Sequence, residues 1–83
     1  MTQQQLNHNC TYLLKSIQDK FKILDGYYYI DYKTIESLCG KYADAVFIHL
    51  GKSDIANFMD EQKGLIINLD GIDDALKCLE KQK

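Results

Sequence analysis

The first quarter of the chain carries apolar residues at steps of three and four, which is the spacing of one face of a helix. The stripe consists of Leu6, Cys10, Leu13, Leu14, Ile17, Phe21 and Leu24. Polar side chains fill the opposite face, and Asp25-Gly26 then supplies a turn signal. The pattern predicts an amphipathic helix over residues 4–24, with its apolar face turned towards a core.

After this segment the chain alternates between short apolar runs and stretches with helical spacing. The apolar runs are aromatic, β-branched or nearly continuous, so they favour strands at 27–30, 45–50 and 65–69. Helical spacing occupies the intervals, at 34–39, at 54–62 after Ser53 as an N-cap, and at 72–81 after Asp70-Gly71. Each predicted strand is thus followed by a predicted helix.

This order predicts an α+β or α/β fold, in which a long N-terminal helix precedes three short β-α units around a small three-stranded sheet. Right-handed crossovers would make the strands parallel, with the very apolar run 45–50 in the middle. The alternative is a winged helix, with its second and third helices at 32–42 and 43–62 and its wing at 65–69. Gly51 would interrupt that third helix, which argues against the alternative.

Length and composition bound the class of protein. A chain of 83 residues, with 46% hydrophobic and 27% charged residues, fits one compact soluble domain over residues 1–83. All ten basic residues are lysines, and twelve acidic residues outnumber them, which gives a net charge of −2. Nucleic-acid binders usually carry a basic surplus and read guanine with arginine. We therefore do not expect nucleic acid to be the main partner; the winged-helix alternative would use Lys41 and Lys52 as its contacts.

The cysteines indicate a reducing compartment. Cys10, Cys39 and Cys78 are odd in number, widely spaced and outside any CxxC motif, so each is expected to be a small buried apolar residue. The N-terminus lacks the basic and apolar segments of a signal peptide, and no run approaches the roughly 20 apolar residues of a membrane span. We expect a cytoplasmic protein that does not associate with membranes.

No residue pattern predicts catalysis. Gly51-Lys52-Ser53 contains the last part of a phosphate-binding loop, but that loop needs another glycine five positions earlier, where Val46 stands. His49 has no nearby nucleophile in the sequence. Aspartates at predicted strand ends and helix starts would share one edge of a parallel sheet and offer ligands to Mg²⁺, although aspartate is also a common cap residue. These aspartates are Asp31, Asp54, Asp70, Asp73 and Asp74.

Four tyrosines lie close together around the first predicted strand, at Tyr27, Tyr28, Tyr29 and Tyr32. A strand alternates its sides, so some of these rings should point outward. Tyrosine is enriched at protein–protein hot spots, because it offers a large contact area and a hydrogen bond at low entropic cost. We therefore interpret Tyr27, Tyr29 and Tyr32 as partner-binding residues; the competing interpretation is that the rings cover a thin core.

Taken together, these patterns predict a small non-enzymatic cytoplasmic protein, without cofactor, metal or catalytic residue, that acts by binding another protein. It would be an adaptor, regulator or inhibitor, and a gene from a mobile element would fit its small size and acidity. The alternative is a winged-helix DNA-binding transcriptional regulator. A third possibility is a small ligand- or metal-binding domain that uses the aspartates. Monomer and homodimer both stay open.

Overall fold

The computed structural model describes residues 2–53, 56–59 and 64–81, in which helices and strands alternate along the chain. The helices and strands are α1 (Gln3–Lys20), β1 (Tyr27–Asp31), α2 (Tyr32–Cys39), α3 (Ala43–Gly51), β2 (Ala56–Met59), β3 (Gly64–Asn68) and α4 (Ile72–Lys81). Short 3-10 turns at Gly40–Tyr42 and Leu69–Gly71 precede α3 and α4. The fold is therefore of the α+β class, as the sequence predicts.

The N-terminal helix α1 forms as expected, but it is shorter than its apolar stripe. A capping box starts it: the Thr2 hydroxyl accepts from the Gln5 amide at 3.1 Å, and the Gln5 side chain accepts from the Thr2 amide at 2.9 Å. It ends at Lys20, because Phe21 has extended backbone angles, with φ −118° and ψ 131°. The last two apolar residues of the stripe thus pack from the connection to β1 rather than from the helix.

The strands form an antiparallel sheet with the order β1-β3-β2. In β1 and β3, Tyr28 lies opposite Ile67 and Ile30 lies opposite Leu65. The expected parallel β-α units are therefore wrong, and the strand predicted at 65–69, not the run 45–50, is the middle strand. Helices α2 and α3 follow β1 in succession, and β2 and β3 then pair as consecutive antiparallel strands. The sheet therefore contains no parallel β-α-β crossover.

The apolar run 45–50 lies inside helix α3, so its assignment to a strand is wrong. The buried residues of α3 are Ala43, Val46 and Leu50, at helical steps of three and four. A continuous apolar run does not by itself distinguish a buried strand from a buried helix. Here the helix is selected because its neighbours on several sides are apolar, with α1, α2 and the sheet all in contact with it.

The helix predicted at 54–62 is also wrong, because Ala56–Met59 forms strand β2. Ser53 does not act as its N-cap: the Ser53 hydroxyl donates a hydrogen bond to the carbonyl of Leu50, at 2.6 Å, and closes the end of α3. The rest of that predicted helix, at 54, 55 and 60–62, lies outside the described residues. Gly51 ends α3 instead of interrupting it.

Besides α1, four predicted elements are confirmed, namely the strands at 27–30 and 65–69 and the helices at 34–39 and 72–81. Asp31 is the N-cap of α2, since its carboxylate accepts from the Thr34 amide at 2.9 Å. The winged-helix alternative predicted helices at 32–42 and 43–62; helices are observed at Tyr32–Cys39 and Ala43–Gly51, but strand β2 lies within the second of these ranges. That alternative predicted that its third helix ends at residue 62. The observed helix α3 ends at Gly51, eleven residues earlier.

The core lies between the four helices and the inner face of the sheet. Its largest fully buried side chains are Cys10, Leu13, Leu14, Ile35, Val46, Leu65, Ile67 and Ile72. In β1 and β3 one face of the sheet covers the core, and on the other face Tyr27 and Tyr29 are exposed, as is common for antiparallel sheets. Among the described residues, no helix combines the length and the apolar character needed to cross a membrane.

Candidate functional site

The solvent-facing side of the sheet, here called the outer face, is formed in β1 and β3 by Tyr27, Tyr29, Ile66 and Asn68. Side chains alternate along β1, so Tyr28 and Ile30 turn inward while the two outer tyrosines turn to solvent. Tyr27 is 73% exposed and Tyr29 is 40% exposed. Large exposed aromatic side chains side by side on a rigid strand are suited to contact with another protein.

Tyr29 is held in place by a glycine of the neighbouring strand. It lies opposite Ile66, and its ring leans diagonally over Gly64, two residues away in β3. A Cβ atom at Gly64 would lie only 2.5 Å from the Tyr29 hydroxyl oxygen. The absence of a side chain at position 64 therefore creates the space in which the Tyr29 ring packs, an arrangement known to protect a strand glycine.

Tyr28 has a different role, on the inward side of β1. Its hydroxyl accepts a hydrogen bond from the Lys20 ammonium at 3.1 Å, and its ring packs edge-on against Phe21 with centroids 5.2 Å apart. These contacts fasten the C-terminal end of α1 to β1. Tyr28 is thus a packing residue, as the competing interpretation of the tyrosine cluster expects.

Tyr32, the third predicted partner-binding residue, is not on the outer face. It is the first residue of α2, and its phenol donates a hydrogen bond to Oδ1 of Asp44 in the first turn of α3. Its ring also packs edge-on against Phe47, with centroids 5.6 Å apart. The hydrogen bond to the Asp44 carboxylate is the main reason why the pKa of Tyr32 is raised to about 12. Tyr32 therefore joins two helices.

The lysines predicted for nucleic-acid contact flank α3. Lys41 lies in the three-residue turn before the helix, with its ammonium 5.3 Å from the centre of the Tyr42 ring, and Lys52 is the C-cap residue. Both are exposed. Between them α3 exposes Asp44 and Ile48, an acidic and an aliphatic side chain. The two lysines are thus at opposite ends of the helix and do not form one basic surface.

The aspartates predicted as possible metal ligands are dispersed through the fold. Asp31 caps α2, Asp70 lies in the turn before α4, and Asp73 and Asp74 lie in the first turn of α4. Asp54 is outside the described residues. The hydrogen bond from Thr34 lowers the pKa of Asp31. Within the described residues no cluster of three or more histidine, cysteine or acidic side chains is suited to hold a metal ion.

The cysteines divide into two classes. Cys10 and Cys39 are buried, as predicted, whereas Cys78 is exposed on α4, so its expected burial is wrong. Burial, together with the neighbouring Cys39, raises the pKa of Cys10 to about 12, and burial also raises the pKa of Cys39. Both buried thiols are therefore protonated at neutral pH and are poor nucleophiles.

Sequence reasoning missed Asn7, the one polar residue in the buried part of the described chain. Its Oδ1 accepts from the Gln3 side chain at 2.9 Å, but its Nδ2 has no hydrogen-bond partner among the described residues. A cavity of about 240 Å³ beside it is lined by Gln4, Asn7, His8 and Thr11. The sequence does indicate this burial: Asn7 directly follows Leu6 and lies one helical step of three before Cys10, so it belongs to the apolar face of the predicted helix.

Sequence reasoning also missed Gly64 and Asp44, because their roles depend on contacts between distant residues. Gly64 matters because the Tyr29 ring packs over it, and Asp44 matters because it accepts the hydrogen bond from Tyr32. Of the predicted site residues, the structure brings Tyr27 and Tyr29 together on the outer face and separates them from Tyr32 and the two lysines. No family model, curated protein or solved structure matches this chain.

Proposed function

We propose that this chain is a winged-helix domain that acts by binding another protein through its outer face. The support for the winged helix is the order of elements: a helix, a strand, two helices joined by a three-residue turn, a hairpin and a last helix, with strand order β1-β3-β2. Gly40, with φ of 58°, begins the turn between the two helices, as glycine often does in helix-turn-helix units.

The observation that carries the proposal is the exposure of two neighbouring tyrosines on one rigid strand. Tyr27 is 73% exposed, so it contributes little to packing within this fold. Tyr29 is fixed over Gly64, so little side-chain entropy is lost when a partner covers it. A pre-ordered aromatic pair of this kind is typical of the central contacts of protein interfaces. The proposed activity is binding alone, with no catalytic step.

A second candidate function is DNA binding through α3, and the helix-turn-helix arrangement of α2 and α3 favours it. The charges favour protein binding instead. The exposed part of α3 presents Asp44 and Ile48 where a DNA-reading helix usually presents basic or amide side chains. The net charge of −2 adds no attraction to phosphate.

The experiment that tests protein binding uses site-specific photocrosslinking in the source cells. A photoreactive amino acid replaces Tyr27 in one variant and Tyr12 in the matched control, because Tyr12 is a tyrosine 50% exposed on α1, away from the sheet. We expect one protein to be crosslinked from position 27 and not from position 12. Its purified form should bind Tyr27→Ser about thirtyfold or more weakly than Tyr12→Ser, the loss typical of a hot-spot residue.

Two results would contradict the proposal. One is crosslinking from position 27 that is absent or equal to that from position 12. The other is a captured protein that binds Tyr27→Ser as tightly as the unchanged chain. The DNA alternative has its own test: fluorescence anisotropy with duplex DNA at low salt, where Lys41→Gln and Lys52→Gln should weaken binding and reduce its salt dependence. Salt-sensitive binding weakened by both substitutions would favour that alternative.

A further inference from the structure

The free edge of β1 carries backbone groups that bond to no other residue in the described ranges. In the order β1-β3-β2, strand β1 pairs on one side only. The Leu69 amide donates to the Gly26 carbonyl at 2.9 Å, so Tyr27 and Asn68 form a pair that does not exchange backbone hydrogen bonds. Because such pairs alternate along an antiparallel ladder, Tyr28 and Ile30 form the backbone hydrogen bonds to β3. The N–H and C=O groups of Tyr27 and Tyr29 point away from β3.

In the described part of the chain, no group bonds to these outward N–H and C=O groups of Tyr27 and Tyr29. Proteins commonly protect such an edge with lysine, proline or a β-bulge. Strand β1 reads Tyr-Tyr-Tyr-Ile-Asp and has neither lysine nor proline, and it pairs with β3 residue for residue without a bulge. Its single charge, at Asp31, is already engaged as the N-cap of α2. The edge is therefore open to another strand.

The sequence of β1 is complementary to itself in the antiparallel direction. With Tyr29 on a two-fold axis, Tyr29 faces Tyr29 of the partner subunit. In the same register Tyr28 faces Ile30 of the partner subunit, and Tyr27 faces Asp31 of the partner subunit. The first two are aromatic–aromatic and aromatic–β-branched pairs, which are favourable across strands, and no like charges oppose each other. A two-fold axis requires antiparallel pairing here, so this register satisfies symmetry as well.

We propose that two copies of this chain pair through their β1 edges, with Tyr29 at the two-fold axis. The pairing joins the two sheets into one and brings the outer faces of both copies, with Tyr27 and Tyr29 from each, onto one continuous surface. It uses backbone groups at the edge, whereas the proposed protein binding uses side chains on the outer face. The two proposals therefore stand or fall independently.

The test measures association and hydrogen exchange on the unmodified chain. Two five-residue edges bury little surface, so we expect a weak dimer with a dissociation constant between about 1 μM and about 1 mM. Sedimentation over this range of protein concentration should show the monomer–dimer equilibrium. Over the same range, amide exchange followed by NMR should slow at Tyr27 and Tyr29 as concentration rises. The amides of Tyr28 and Ile30 already bond to β3, so their exchange should change less.

A backbone variant separates edge pairing from other modes of association. N-methylation of the Tyr29 amide, introduced by chemical synthesis, keeps the side chain and the bonds to β3, but it removes the two hydrogen bonds at the proposed axis. We expect dimer affinity to fall about tenfold or more. Tyr27→Ser is the matched control, since it removes an outer-face ring and leaves the backbone donor, and it should retain dimerisation.

Three results would overturn the proposal. The first is a chain that remains entirely monomeric at about 1 mM, the largest dissociation constant expected for such an edge. The second is a dimer whose Tyr27 and Tyr29 amides exchange as fast as in the monomer. The third is protection of these amides at every concentration, which would mean that the chain covers its own edge.

Discussion

The Tyr32 phenol, at the start of α2, donates a hydrogen bond to the Asp44 carboxylate in the first turn of α3. The two residues lie on either side of the three-residue turn that joins the helices. Packing of the Tyr32 ring against Phe47 adds a second contact between the same elements. These two contacts hold the start of α2 against the first turns of α3.

Tyr32→Phe should lower the free energy of unfolding at neutral pH, because it removes the hydrogen bond to Asp44 and keeps the aromatic ring. The pKa of Tyr32 is raised from 10.0 to about 12 in the folded chain. The stabilisation is therefore fully present below pH 10 and is lost as the pH rises from 10 towards 12. Tyrosinate absorbance during alkaline titration should contain a late component that Tyr32→Phe removes.

The matched control for this titration is Tyr12→Phe, which removes an exposed tyrosine on α1. It should leave the late component intact. If the late component survives in Tyr32→Phe, the hydrogen bond to Asp44 does not hold the phenolic proton and the role assigned to this pair is wrong.

Gly64→Ala should destabilise the chain by about 1 kcal/mol, the low end for overpacking, because the atoms it meets are the outer end of an exposed tyrosine ring that can move. The added methyl group would meet the hydroxyl and the ring of Tyr29 at 2.5–2.7 Å, so the ring must leave its place over β3. In a Tyr29→Ser background the same substitution should cost much less, because the ring is gone. Urea unfolding of the two single variants and the double variant gives the coupling energy. Additive effects would contradict the packing of Tyr29 on Gly64.

The elements that sequence reasoning placed correctly are those whose pattern is local. The stripe of α1, the aromatic strand β1 and helix α4 each carry their own spacing, cap or charge signal. The run 45–50 has none of these: it is apolar at every position except His49, and such a run suits a buried strand as well as a buried helix. The run forms a helix because it packs between α1, α2 and the sheet. Those elements are distant in the sequence, so no local pattern reveals this packing.

The candidate site was predictable in part for the same reason. Alternation along β1 correctly indicates that Tyr27 and Tyr29 share a side, and the exposure of both follows once the sheet has one solvent face. Tyr32 looks equivalent to them in the sequence, yet it belongs to a helix, so the period of two no longer applies to it. The contact with Asp44, which fixes its role, spans twelve positions and leaves no local pattern.

Thiol labelling of the native chain should find one fast cysteine, Cys78, which is exposed on α4. Cys10 and Cys39 should react about a thousandfold more slowly or slower, since a reagent reaches them only when the chain unfolds. Burial keeps the pKa of Cys10 near 12, against an ordinary value of 9.0. The stability linked to this thiol is thus present below pH 9 and is lost as the pH rises towards 12.

Cys78→Ser is the control for this labelling, because it should abolish the fast phase and leave two slow thiols. All three cysteines of the unchanged chain should react at once in denaturant. A fast phase that persists in Cys78→Ser would mean that α1 or α2 opens readily, contrary to the packing of both buried cysteines in the core.

Asn7→Leu should stabilise the chain by about 1–2 kcal/mol, because it removes a buried amide whose Nδ2 bonds to nothing in the part of the chain that the structure describes. The adjoining cavity of about 240 Å³ gives the larger side chain room. The matched control is Asn9→Leu, two residues away in the same helix, where the amide nitrogen donates to the Gln5 carbonyl at 2.8 Å. The change in helix propensity is the same at both positions and cancels in the comparison. Thermal unfolding of the two variants measures the difference, and an Asn7→Leu chain no more stable than Asn9→Leu would show that the buried amide is satisfied in solution.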